Sequence, residues 1–141
     1  MVENKKHRES IIDKAWKVYF CSSTDDDYPA SLFAQYGIAF AIINYKVILI
    51  DEDQVKELTN DHIIAIEAHE ICHGRLNHGN RQADQTLQEK EADWLAHRIL
   101  TSMNLVTPAN LIADRYMLHY QEAISSLDDY MTLVLKELSL E

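Results

Sequence analysis

Within the stretch "AIEAHEICHGRLNH", His69 and His73 stand four residues apart and Glu70 directly follows the first of them. Residues four apart on an α-helix share a face, so both imidazoles can aim a ring nitrogen at one point beside the helix. That supplies two legs of a tetrahedral metal site. Glu70 lies to one side of the point, where a carboxylate can reach a metal-bound water without being a ligand itself. The chemistry of this HExxH spacing is activation of water. The pattern is short, however, and the chain carries seven histidines and 23 acidic residues. An amphipathic helix that happens to be rich in His and Glu is therefore the rival reading, and the rest of the sequence must decide.

A catalytic zinc site needs a third protein ligand, and its histidines need partners for their other ring N–H. The stretch "EKEAD", residues 89–93, offers both. Glu89 and Asp93 share a helical face, while Glu91 lies between them and points elsewhere. With Glu89 as the third ligand, Asp93 sits one turn on, where it can accept the N–H of a ligand histidine and fix its tautomer. Glu91 is the rival third ligand and ranks behind Glu89, because only Glu89 has Asp93 one turn later. Fifteen residues separate His73 from Glu89, enough for a chain reversal that lets two antiparallel helices clamp one ion. Among the other histidines, His62 is expected to cap or sit at the surface. His78 is expected in a loop, with a substitute-ligand role as its rival. His97 is expected to be packed, with support of the ligands as its rival role.

HExxH followed by ExxxD on a later helix resembles the gluzincins, the thermolysin-like clan of zinc peptidases. "EKEADWLAHRIL" is similar to the ExEADxxAxxLL stretch of HtpX-like and CAAX-type peptidases and to the ExEAxxFAxxLL stretch of the ImmA/IrrE family. A β-hairpin ending in "KVILID" shortly before the HExxH helix also resembles ImmA/IrrE domains. The resemblance covers residues 38 to about 100, with specific motifs at 69–73 and 89–93. No Met-Pro pair follows "RIL", so the resemblance does not choose the subfamily. It implies His69, His73 and Glu89 as zinc ligands, Glu70 as general base, and Asp93 as the partner of a ligand histidine. The implied activity is zinc-dependent hydrolysis of a peptide bond in a protein or peptide substrate. For ImmA/IrrE-like proteins, that substrate is a repressor-type regulator. By their chemistry alone, Tyr116, His119 and Tyr120 are candidate donors to the oxyanion, against a default of core aromatics and surface histidine. A substrate can also add as a strand to the edge of a small sheet. Two further readings stand beside this one. In the first, the chain is a non-catalytic regulatory or protein-binding module that keeps a zinc site. In the second, it is a latent enzyme whose last helix, with Leu133, Val134, Leu135 and Leu138, covers the cleft.

Composition limits the alternatives. The 141 residues suit one domain, 1–141, with a modest core. Thirteen basic against 23 acidic side chains give a net charge of -10, which argues against nucleic acid as a partner. The same charge disfavours an anionic membrane. Cys21 and Cys72 form no framework and read as buried thiols in a reducing compartment. The N-terminus has no apolar core of a signal peptide, and "GIAFAIINYKVILI" is too short and too polar to span a bilayer. The expected location is the cytoplasm.

The elements that must carry the site follow from periodicity. Residues 5–20 place Ile11, Ile12, Ala15, Trp16, Val18 and Tyr19 at helical spacing, and an amphipathic helix is expected there. "CSSTDDDYPAS" reads as a solvated loop rather than a calcium site. Residues 38–43 and 46–51 read as a hairpin with Asn44 at its turn. The HExxH helix starts near Thr59–Asp61, each a competent N-cap. A second helix spans about 84–103, with Leu87, Trp94, Leu95, Ile99 and Met103 on its apolar side. A third starts with Thr107 as N-cap and Pro108 at the first helical position. A last helix starts at Ser126 with Asp129 as a capping box. The expected fold is α+β, mostly helical and zincin-like, with a small N-terminal sheet or hairpin before the HExxH helix.

Overall fold

In a computed structural model of the chain, the described residues are 6–78, 85–120 and 131, 132, 135 and 136, with residues 115–120 described by their backbone only. Among the described residues the fold is an α+β arrangement of a four-stranded sheet and five assigned helices. Strands β1 (Lys6–Glu9) and β2 (Lys17–Cys21) are followed by helix α1 (Ala30–Tyr36). Next come β3 (Ala39–Ile42), β4 (Val47–Asp51) and the short α2 (Glu52–Val55). Three longer helices complete the described chain: α3 (Asn60–Arg75), α4 (Gln85–Ser102) and α5 (Val106–Tyr120). The sheet order is β1-β2-β4-β3, with β2 parallel to β4 and the other two pairs antiparallel.

The central strand β4 is apolar on both faces because both are covered. Ile48 and Ile50 are fully buried in the cluster that contains Ile64, Ala65, Ala68 and Ile71 of α3. Leu49, between them, points the other way and joins Phe40, Cys21 and Phe33 of α1. This is the period-two alternation of a strand, with a helix on each face of the sheet. The hairpin expected over 38–51 forms as β3 and β4. Its turn differs in detail: Asn44 lies in a single 3-10 turn, and the left-handed residue that reverses the chain is Lys46, at φ 54°.

The helix expected over residues 5–20 does not form. Its apolar spacing was real, but local polar groups compete for the backbone. Ser10 Oγ accepts from the N–H groups of Ile12 and Asp13 at 3.0 and 3.2 Å, and Asp13 accepts from Ala15 N–H at 3.0 Å. Such bonds offer the chain an alternative to a helix ladder. "KVYFC" is also rich in strand-favouring residues and pairs with β1 and β4. The link between β1 and β2 is pinned to α3 by the fully buried Glu67. Its carboxylate accepts from Arg8 Nη2 at 2.6 Å, from Ile11 N–H at 2.9 Å and from the Ser10 hydroxyl. The link in turn seats Ile12 and Trp16 in the core.

The HExxH helix is capped as expected. Thr59 is the N-cap: its Oγ1 accepts from His62 N–H, and His62 Nδ1 lies 2.8 Å from the same hydroxyl, so the His62 ring adds a contact to the cap. On α4 the expected apolar side holds for Trp94, which is buried, and for Leu95 and Ile99, which pack against the core, but not for Met103. The fully buried apolar residues of the helix are Ala92, Ala96 and Leu100, four apart, while Met103 is exposed. Alanines here, facing Ala65 and Ala68 in the same cluster, let α3 and α4 approach closely. Helix α5 begins at Val106, so Thr107 is not its N-cap. Pro108 falls in the first turn, where its missing N–H has no partner to lose. The helix expected from Ser126, including Asp129 and the leucines of the latent reading, lies outside the described residues except for residues 131, 132, 135 and 136.

Gly74 closes the HExxH segment against the core. A Cβ there would lie 2.5 Å from Cζ2 and 2.8 Å from Cη2 of the buried Trp16 indole. Alanine gains about 1 kcal/mol of helix propensity over glycine. Overpacking a rigid, enclosed ring costs about 1–3 kcal/mol. Gly74→Ala is therefore expected to lower stability by up to about 2 kcal/mol in urea unfolding, and a raised midpoint would contradict this packing.

Candidate metal centre

Two helices build the site. His69 and His73 project from one face of α3, and Glu89 and Asp93 from one face of α4, in opposite running senses: His69 meets Asp93, while His73, one turn later, meets Glu89, one turn earlier. His69 Nε2 lies 2.9 Å from Glu89 Oε1, His73 Nε2 lies 3.2 Å from Glu89 Oε2, and the two Nε2 atoms are 3.1 Å apart. Among the described residues, His69, His73 and Glu89 are a group whose ligand atoms all lie within 4.8 Å of one another. A tetrahedron with zinc bonds of ~2.0–2.1 Å has edges of about 3.3–3.4 Å, close to these separations.

The hydrogen-bond partners say which ring nitrogens face the centre. His69 Nδ1 donates to Asp93 Oδ1 at 2.7 Å, so its Nε2 is left to point inward. Asp93 thus occupies the position expected of it. Two imidazole nitrogens and a carboxylate converging on one point are all acceptors, and they need a cation among them. The donor set and its spacing therefore fit a borderline metal such as zinc.

In the metal-free protein a proton meets part of this need. Burial alone would disfavour charge on His69, but hydrogen bonds to Asp93 and Glu89, with Glu70 nearby, push its pKa up to about 10. Burial also opposes ionisation of Glu89, yet hydrogen bonds from His69 and His73 hold its carboxyl well below the usual range.

Glu70 is half-buried and lines a cavity of about 380 Å³ together with His69 and Glu89. The walls of this cleft include Ile38 and Ala39 at the start of β3, Ile66 of α3, and Leu111 and Ile112 of α5. Glu70 is thus beside the metal point and open to the cleft, as a water-activating carboxylate requires. The side chains of Tyr116, His119 and Tyr120, the candidate oxyanion donors on α5, lie outside the described residues. Cys72, inside the motif, is fully buried in the core, and burial pushes its thiol pKa up, so it behaves as an apolar packing residue. His97 is half-buried on α4 and enters none of the hydrogen bonds of the cluster described here.

Sequence reasoning missed one part of the site. His78, expected in a loop, is buried and bonded to both sides: its Nδ1 lies 2.6 Å from His73 Nδ1, and its Nε2 lies 2.8 Å from Glu91 Oε1. Glu91 indeed points away from the metal point, and it is fully buried against His78. The available signal was Asn77. An asparagine just past a helix can take the left-handed conformation that ends it, and Asn77 does so at φ 59°. Compared with known protein families, curated proteins and solved structures, the chain matches none.

The sign of the pH dependence follows from His69. Its folded pKa stands above the ordinary 6.5, so its stabilising contacts are complete below pH 6.5 and are lost as pH rises toward about 10. A metal must displace that proton. Between pH 6.5 and 9, apparent zinc affinity is expected to rise about tenfold per pH unit, with about one proton released per zinc in calorimetry across buffers of different ionisation enthalpy. An affinity independent of pH would contradict the protonated state of His69.

Proposed function

We propose that this chain is a zinc-dependent peptidase of the gluzincin type. The observation that carries the reading is the convergence of His69 Nε2, His73 Nε2 and the Glu89 carboxylate, with Glu70 beside them on an open cleft. The resemblance of HExxH and ExxxD to the gluzincins supports it as well. When bound, zinc would supply a Lewis acid that lowers the pKa of a water toward neutrality and polarises the scissile carbonyl. Glu70 takes the proton of the attacking water and passes it to the leaving amine. Asp93 holds His69 in one tautomer and orientation.

The cleft favours an extended substrate. Among the described strands β3 lies at the edge of the sheet, and Ala39 at its start, with Ile38 just before it, lines the cleft beside His69 and Glu70. A peptide added as a strand along that edge would pass its backbone in front of Glu70. Apolar walls suit an apolar side chain next to the scissile bond. A protein or peptide, with a regulator protein as the class that the ImmA/IrrE resemblance suggests, is the partner this favours. The net charge of -10 disfavours nucleic acid. No helix among the described residues is long and apolar enough to cross a membrane. Two buried thiols, Cys21 and Cys72, support a reducing compartment, the cytoplasm.

A non-catalytic module that keeps zinc is the second reading, and the small size of the chain is what favours it. A structural zinc site would use four protein ligands. The described cluster supplies three, and a half-buried carboxylate stands where water would be activated.

The purified protein is expected to carry about one zinc per chain by elemental analysis, and His73→Ala to lose it. Glu70→Gln is expected to keep zinc and its fold while turnover falls by about 10²–10⁴-fold. The readout is new N-termini in a denatured peptide library, compared between wild type and Glu70→Gln. A metal-free protein with an intact fold would overturn the zinc reading. Zinc-loaded protein that cuts nothing would favour the binding module, and undiminished cleavage by Glu70→Gln would reject Glu70 as the base.

A further inference from the structure

His73 is bonded from behind by a second histidine, and we propose that His78 and Glu91 act as a positioning relay that fixes the tautomer and aim of His73 as a metal ligand. The purpose of the relay rests on the zinc-site reading above. Its geometry stands on bonds within the chain.

The direction of the relay is set by its buried end. His78 Nε2 faces Glu91 Oε1 at 2.8 Å, and both residues are buried. A carboxylate oxygen accepts, so His78 carries a hydrogen on Nε2, and its Nδ1 then presents a lone pair. That lone pair lies 2.6 Å from His73 Nδ1, so His73 must be the donor there. With its Nδ1 hydrogen committed to His78, His73 is left with Nε2 as the ring nitrogen that faces Glu89 and His69 and that a metal would use. The reverse direction would set two acceptors, a ring nitrogen and a carboxylate, face to face in a dry interior, which is costly. Each ligand histidine thus ends on a carboxylate of α4. His69 reaches Asp93 directly, and His73 reaches Glu91 through one imidazole.

The backbone holds His78 where this requires it. His78 N–H donates to His73 O at 3.0 Å and Asn77 N–H to Gly74 O at 3.0 Å, the two bonds of a Schellman helix end with Asn77 in the left-handed position. The turn that ends the HExxH helix therefore returns a ring to the flank of its own second ligand. A third ring behind the pair distinguishes this site from a plain two-histidine motif.

Two substitutions separate positioning of His73 from mere packing. His78→Asn puts an amide oxygen near the Nδ1 position, where it can accept from His73, but does not reach Glu91. His78→Gln puts an amide N–H near the Nε2 position, where it can donate to Glu91, but offers His73 no acceptor. In competition with a chelator, zinc affinity is expected to fall about 10–100-fold in His78→Gln and to stay within roughly threefold of wild type in His78→Asn. An equal loss in both, or a larger loss in His78→Asn, would overturn the proposal. Long-range ¹⁵N–¹H spectra of the metal-free wild type give a readout that does not depend on zinc. The expected pattern is hydrogen on Nδ1 of His73 and on Nε2 of His78. A His73 Nδ1 that carries no hydrogen would overturn the relay even if zinc binds. If the expected pattern is found in a protein that binds no zinc, the relay stands and the ligand reading fails.

Discussion

Like partial charges forced together at one point are the constraint on which this structure turns. Two imidazole nitrogens and a carboxylate meet at about 3 Å in a largely buried helix pair. In water such groups would stay apart. Here the α3–α4 interface holds them, and the repulsion is relieved only by a cation. A proton on His69 relieves part of it, which explains why a buried histidine holds its proton so firmly. Zinc would relieve it more fully, since one ion can face all three groups. The rest of the fold can be read as the scaffold that maintains this approach.

That scaffold works through small residues and buried polar anchors. Ala65, Ala68, Ala92 and Ala96 sit in the shared core between the helices that carry His69, His73 and Glu89. The glycine after His73 admits the Trp16 indole against the end of the motif. Trp16 is in turn carried by a β1–β2 link that Glu67 ties to α3 with bonds to Arg8, Ser10 and Ile11. Losing one donor to such a buried carboxylate costs about 1–3 kcal/mol. Glu67 lies two residues before His69, so the anchor that orders the N-terminal strands also fixes the register of the ligand helix against the sheet.

The residues that meet at the centre were legible in sequence because they stand at helical spacing: HExxH on one helix and E-x-x-x-D on the next. The hairpin before it and the capping of α3 by Thr59 were legible for the same reason, as local patterns with local causes. The N-terminal segment was not. Ile11, Ile12, Ala15 and Trp16 do recur at helical spacing, but the bonds that defeat a helix run from Ser10 and Asp13 to nearby N–H groups and from Glu67, far along the chain. On α4, Trp94, Leu95 and Ile99 were legible as core residues, but Ala92 and Ala96 were not, because alanine adds little to an apolar pattern. His78 was passed over because its role depends on a left-handed Asn77 and on a carboxylate two helical positions after Glu89, a coincidence in space that spacing alone does not display.

The cleft and the centre join at Glu70, so the account stands or falls with what occupies the point between His69, His73 and Glu89. X-ray absorption at the zinc edge on the zinc-loaded protein tests this most directly. The account predicts a four-coordinate shell of nitrogen and oxygen at about 2.0–2.1 Å, with outer-shell scattering from two imidazoles. Scattering from three imidazoles, which would draw His78 into the ligand set, or a sulfur at about 2.3 Å from Cys72, would contradict it.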